Sequence, residues 1–205
     1  MVDSDKLPLF ERVRIAMATN LSKDDIIQRI VAAFREHGYE GASLSILSQA
    51  TGLGRSSLYH HFPNGKTDMA QAALDWVLTS FETLVIAPLQ QTQQTPLQRL
   101  QACAQGLAEF YADGARSCLL NIFSIGSASI IFQTQLRAST QAMLQMFSDI
   151  AQESGVAPET AQQRGEQAVI GIQGALVISR TLGSNEPFLR FLAQFPTQLL
   201  RPESP

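Results

Sequence analysis

Residues 41–66 read GASLSILSQATGLGRSSLYHHFPNGK, and this stretch decides the fold. Ser43 stands where it can cap a short helix running through Leu44, Leu47 and Ala50. Gly52-Leu53-Gly54 breaks that helix, and a second short one carries Leu58 and Phe62 at an i, i+4 spacing. Pro63-Asn64-Gly65 is a strong turn signal. Two short helices joined by a tight glycine-containing turn fit a helix-turn-helix, whose second helix enters the major groove of DNA. The polar residues of that second helix (Arg55, Ser56, Ser57, Tyr59 and His60) are small or hydrogen-bonding. Hydroxyl, guanidinium and backbone amide donors are the groups that contact phosphates. The segment holds no Asp or Glu, although the chain has 18 of them.

Outward from this segment the pattern stays helical. Upstream, Ser22 with Asp25 makes a capping-box-like start. Ile26, Ile27, Ile30, Val31 and Phe34 follow on one stripe, and Gly38 ends it. Residues 1–20 read as a flexible arm. Downstream, a long helix starts at Lys66, with Met69, Ala72, Ala73, Trp76, Phe81 and Leu84 facing inward and Pro88 near its end. Further helices start at Pro96 and Pro158, a third passes through Met143 and Phe147, and a last one carries Phe188, Phe191 and Phe195. The prediction is an all-α chain of about nine helices with no sheet. Residues 21–66 form the helix-turn-helix domain within it, and residues 67–205 a larger helical domain.

Composition first argues against DNA. The 205 residues are 45% hydrophobic and 16% charged, with a formal net charge of −3. The sequence pI is about 5.6, and a basic footprint is the usual signature of a nucleic-acid binder. Dividing the chain answers part of the objection. Residues 1–66 hold eight Lys/Arg and seven Asp/Glu, a net of +1, while residues 67–205 hold seven and eleven, a net of −4. All three histidines fall in the first part.

The N-terminus has no apolar core of a signal peptide. Residues 117–136 contain no charge and have the length of a membrane span. Eight of these 20 are polar, too many for a lipid-facing helix, so the stretch reads as protein interior and the protein as cytoplasmic, with no membrane partner. Cys103 and Cys118 fit no disulfide framework and read as buried thiols.

Residues 24 to about 81 resemble the DNA-binding domain of the TetR family of bacterial one-component repressors. The resemblance rests on the three-helix layout, on Gly41-Ala42-Ser43 and on Gly54-Arg55-Ser56-Ser57-Leu58-Tyr59-His60-His61-Phe62. Gly65-Lys66, which opens the next helix, completes it. The variant LYHHFPNGK is similar to the branch containing multidrug- and flavonoid-responsive repressors. The resemblance implies that Arg55, Ser56 and His60 face bases, while Ser43, Ser57, Tyr59 and Lys66 hold phosphates. It implies a core of Leu44, Leu47, Leu58 and Phe62. Ser45 stands where many members carry a longer polar residue, so no base contact is expected from it. It also implies repression of a pseudo-palindromic operator, with the helix from Lys66 to about Leu84 as the lever that transmits effector binding.

For residues 67–205 the resemblance implies a cavity for a small, largely apolar or aromatic effector. Phe81, Phe110, Cys118, Phe123, Phe132, Met143, Phe147 and Gln173 are its candidate lining. Residues 168–179, AVIGIQGALVIS, are apolar nearly all round and must be buried on several sides. A homodimer interface through Gly171, Gly174, Ala175, Ile178, Phe188 and Phe191 explains that burial; a fully internal helix is the alternative. His60 and His61 point apart on a helix and do not suit one metal, and His61 reads as partly buried. No metal site, cofactor or catalytic constellation is expected. The alternatives to a regulator are a helical ligand-binding protein without specific DNA function and a small helical enzyme using His60 or His61 as a base.

Overall fold

The computed structural model describes residues 21–202. They form ten helices, counting Lys66–Leu89 as one, and no strand among the described residues. The arm expected at residues 1–20 lies outside them. The chain divides into two compact units, Met1–Val77 and Leu78–Pro205, with the division inside the fourth helix.

In the first unit α1 spans Lys23–Gly41, α2 Leu44–Thr51 and α3 Arg55–His61. The start of α1 is the capping box read from the sequence: the Asp25 amide donates to Ser22 Oγ at 3.1 Å, and the Ser22 amide to Asp25 Oδ2 at 3.1 Å. These hydrogen bonds from Ser22 hold the Asp25 carboxyl below its ordinary range. Ile26, Ile27, Ile30, Val31 and Phe34 are all buried, as their spacing requires. Gly38 ends the regular run at φ +69, and a last kinked turn carries Tyr39 back to stack on Phe34. The kink leaves carbonyls of α1 without helical partners, and Lys66 Nζ donates to that of Tyr39 at 2.8 Å while standing 4.5 Å over its ring.

Helix α4 (Lys66–Leu89) changes geometry along its length. Lys66–Phe81 is α-helical, Glu82–Ile86 is a π turn, and Ala87–Leu89 returns to α. Pro88 explains the change. It stands four residues after Leu84 and has no N–H, so the α-helical bond to the Leu84 carbonyl cannot form. The buried positions are Met69, Ala70, Ala73, Leu74, Val77, Val85 and Leu89. Of the expected inward set, Ala72, Trp76, Phe81 and Leu84 are only half-buried, because the buried stripe runs one residue off that spacing.

The second unit continues with α5 (Pro96–Phe110), α6 (Leu119–Phe123), α7 (Ala128–Ile131), α8 (Gln133–Glu153), α9 (Pro158–Leu182) and α10 (Glu186–Leu199). The main layers pack α8 on α9, α9 on α10 and α10 on α5. Backbone reaches backbone at two glycines. A Cβ on Gly165 of α9 would lie 2.8 Å from the Leu144 carbonyl of α8, and one on Gly106 of α5 only 1.8 Å from the Leu84 carbonyl. The carbonyl that Pro88 deprives of its helical donor therefore presses on the one residue of α5 that has no side chain.

The uncharged stretch 117–136 is not a continuous helix and is not all interior. Gly126 at φ +65 separates α6 from α7. A helix this short buries only one side: Leu119, Phe123, Ala128 and Phe132 point in, while Ile125, Ile130 and Ile131 are exposed.

Basic side chains close the carbonyl ends of helices in both units. Arg29 Nη1 donates to Thr51 O at the end of α2, and Arg99 Nη1 to Leu89 O at the end of α4. Arg116 Nη1 reaches Phe110 O at the end of α5, and Arg164 Nη1 reaches Leu199 O in α10. Arg99 is buried and also pairs with Glu153 of α8.

Gly106→Ala should drive a methyl into the Leu84 carbonyl and cost about 3 kcal/mol or more. A melting temperature lower by roughly 10 °C is expected; an unchanged one would mean that α4 does not need this approach.

Candidate nucleic-acid interface

The turn between α2 and α3 is pinned at several points. Gly52 takes the left-handed conformation at φ +74 that ends α2. The buried Thr51 hydroxyl donates to Leu47 O at 2.7 Å and accepts from the Leu53 amide at 3.3 Å. Ser48 Oγ donates to Leu53 O at 2.6 Å, and Arg29 holds Thr51 O from α1. Ser48, Thr51 and Arg29 were not singled out from the sequence. The available signal was a pair of hydroxyl residues in the last turn before Gly52.

On α3 only Leu58 is buried. At 3.6 residues per turn, Ser56 and His60 lie about 160° from Leu58 on either side, and Ser57 and Tyr59 about 100° to its two sides. Ser56 and His60 thus form the outermost ridge, with Ser57 and Tyr59 as its flanks and Arg55 at the N-terminal end. All five are exposed. Arg55, Ser56, Ser57 and Tyr59 have no hydrogen bond or ion pair among the described residues. A polar ridge with basic and hydroxyl donors and no carboxylate suits a groove lined by phosphates.

The surroundings orient this ridge. A Cβ on Gly65, which sits at φ +66, would lie 3.3 Å from Tyr59 Cε1, so the Tyr59 ring rests on the glycine that opens α4. Ser43 is exposed and caps α2, its Oγ accepting from the Ile46 amide at 3.3 Å. Lys66 is half-buried and already holds the end of α1, so a phosphate would meet an ammonium that is fixed in place. His61 is exposed rather than partly buried. As the last residue of a seven-residue helix it has nothing following it to cover it, and its ring lies against His60 and Phe62. The described residues contain no cluster of metal-ligating side chains.

In the second unit the candidate effector residues separate into two sets. Phe81 and Phe110 meet edge to face at 5.2 Å in a chain continued by Tyr111 and Phe188. Phe123 stacks on Phe132, and Phe147 packs on Phe195. Cys118 is buried at the start of α6. Met143 and Gln173 instead line a cavity of about 500 Å³ between α6, α8 and α9, together with Asn121 and Arg137.

The expected dimer residues also divide. Phe188 is wholly buried within its own unit, against Gly114 and Tyr111, which leaves nothing of it for a partner. Ala175 is buried as well, and Gly171 seats the Phe191 ring. Gly174 and Ile178 are exposed. They belong to a stripe with Ile170 (54% exposed), Val177 and Leu182 (68%), so α9 is not buried on all sides within one chain.

A helix-turn-helix with an acid-free outer ridge, followed by a larger helical unit holding a ligand-sized cavity, is the build of a DNA-binding regulator. The comparisons agree. The sequence model for bacterial regulatory proteins of the tetR family matches residues 26–73. That for the C-terminal domain of LmrA/YxaF-like transcriptional regulators matches residues 96–194. The chain belongs to the TetR family of transcriptional regulators.

Among similar proteins is the uncharacterized HTH-type transcriptional regulator YxaF of Bacillus subtilis. It is 24% identical over 179 residues, covering 85% of this chain and 93% of the relative. The HTH-type transcriptional regulator LmrA of the same organism is 21% identical over 189 residues, covering 88% and 97%. Among solved structures, a TetR transcriptional regulator from Legionella pneumophila superposes with a TM-score of 0.73 at 19% identity, over 87% of this chain and 98% of that one. A cysteine mutant of the TetR family regulator CifR, complexed with 26-bp operator DNA, gives 0.70 at 20% identity, over 86% and 96%.

Two measurements check the site's surroundings. Lys66→Ala should lower the stability of the DNA-free protein by about 1 kcal/mol, since a charge-assisted bond to the end of α1 is lost. An unchanged melting curve would show that Lys66 does not hold that end. Burial pushes the Cys103 thiol up from 9.0 to about 12. It should therefore resist iodoacetamide at pH 8 in the folded protein and react in urea; rapid labelling of the native protein would contradict its burial. Because the folded value is raised, ionisation of the unfolded chain removes this contribution to stability progressively as pH rises from about 9 toward 12.

Proposed function

We propose that this regulator is a cytoplasmic repressor that binds a pseudo-palindromic operator as a homodimer and is released by a small molecule held in its second unit. The observation that carries this reading is the outer ridge of α3, exposed, free of acids and fixed in direction by the Thr51 turn. Arg55, Ser56 and His60 read bases, while Ser43, Ser57, Tyr59 and Lys66 meet phosphates. The operator complex of the similar CifR supports DNA of this kind as the partner.

Dimerisation is supported by the apolar stripe on α9, a row of large side chains that water does not favour. A two-fold pairing there presents two copies of α3, whose half-sites must lie about 34–36 Å apart or a multiple of that. The effector acts as a population shift, favouring a dimer whose two α3 helices are wrongly spaced, by no more than its differential affinity. Its site is the cavity bordered by Met143 and Gln173, while the phenylalanines behind it set the shape of the unit.

A gel-shift titration against DNA from upstream of the protein's own gene tests the reading. Specific retention over random DNA is expected. Arg55→Ala should lower the ratio of specific to random affinity by tenfold or more, whereas Tyr59→Phe should weaken both alike. Equal affinity for all DNA in the parent protein, or an Arg55→Ala protein with full operator preference, would overturn it. Sedimentation separates the dimer from the rest: Ile178→Asp should give monomers.

A further inference from the structure

The cavity between α6, α8 and α9 has an apolar wall at Leu120, Leu136, Met143 and Val169. Asn121, Ser124, Ser129, Gln133, Thr140 and Gln141 add uncharged polar groups around it, and two further residues stand out. Arg137 is the first charge after the uncharged stretch 117–136 and stands at the cavity's edge. It has neither an ion pair nor a hydrogen bond among the described residues, and no Asp or Glu lines the cavity. Gln173 carries a side-chain Oε1 that is fully buried and has no hydrogen-bond partner.

The helix register brings the two together. α8 and α9 run antiparallel, with Gly165 against Leu144 and Ser148. From that crossing Gln173 lies eight residues onward, about 12 Å, while Arg137 lies seven and eleven residues back, about 10–16 Å, in the same direction. An unpaired guanidinium and an orphan amide oxygen therefore share one level of an otherwise uncharged cavity. A cationic ligand would be repelled by the first group. A pure hydrocarbon would leave the second, already buried, without a partner.

We infer that this cavity binds an amphipathic organic anion, with its carboxylate on Arg137, a neighbouring hydroxyl or N–H donating to Gln173, and its body along the apolar wall. The inference rests on the proposed effector reading and narrows the effector from an apolar compound to an acid. Arg137 itself is exposed, so its replacement leaves the core intact.

The test titrates 2-hydroxydecanoate, its amide and decanoate into the full-length protein by calorimetry. The acid should bind at least tenfold more tightly than the amide. Arg137→Gln should bring the acid down to the amide's level at an unchanged melting temperature, and Gln173→Leu should abolish the preference for 2-hydroxydecanoate over decanoate. Equal binding of acid and amide, no heat from any of the three, or a preference that survives Arg137→Gln or Gln173→Leu would overturn the inference. A gel shift with the same compounds and with naphthalene as a neutral aromatic keeps the two readings apart. If the acid binds through Arg137 yet leaves the operator complex intact, the site stands and effector release fails. If a neutral aromatic dissolves the complex while the acid does not bind, the inference alone fails.

Discussion

Five helices of this protein have their carbonyl ends closed by cations that come from elsewhere in the chain. Arg29 closes α2, Lys66 α1, Arg99 α4, Arg116 α5 and Arg164 α10. A helix leaves its last four carbonyls without partners and a negative dipole end, so each donor of this kind satisfies both. The consequence reaches beyond stability. The chain has only 15 Lys and Arg, and a third of them are engaged in this way. The side chains that hold adjacent helices in register are thus the same ones that set the helix directions on which both candidate sites depend.

In the first unit this arrangement aims α3. Arg29 from α1 and the Thr51 hydroxyl hold the end of α2 from two sides, and Gly52 turns the chain where no Cβ is in the way. Leu58 then anchors α3 by one buried side chain, so the rest of a seven-residue helix is free to present Arg55, Ser56, Ser57, Tyr59 and His60. So small a buried face works because the turn, rather than the helix, carries the orientation. Tyr59 is steadied in turn by the glycine beneath it.

In the second unit close backbone approach does the same work. Pro88 removes one hydrogen bond from α4, the helix widens into a π turn, and Gly106 accepts the displaced Leu84 carbonyl. Gly165 lets α8 and α9 meet backbone to backbone. Helices brought this near at one point diverge beyond it, and the cavity with Arg137 and Gln173 lies two turns along from that contact. Tight packing at one glycine and open space further on are parts of one geometry.

Much of this was legible in the sequence because it is local. Helix periodicity, the Ser22 and Ser43 caps, the Gly52 turn and the acid-free face of Arg55 to His60 all depend on residues within about two turns of one another. The apolarity of residues 168–179 was equally visible, but composition alone does not say which side of a helix its own chain covers. Tertiary packing decided that: α10 lays Phe191 on Gly171 and buries Phe188, while Ile170, Val177 and Leu182 stay open. It also divided the phenylalanines, which pair with one another in the interior, from Met143 and Gln173 at the cavity, since identical apolar spacing serves both ends. Arg137 shows the difference most plainly. In the sequence it only ends an uncharged run; in the cavity that Gln173 also lines it becomes a cation without a counter-ion among the described residues, because an electrostatic environment is made by neighbours that the chain brings together from a distance.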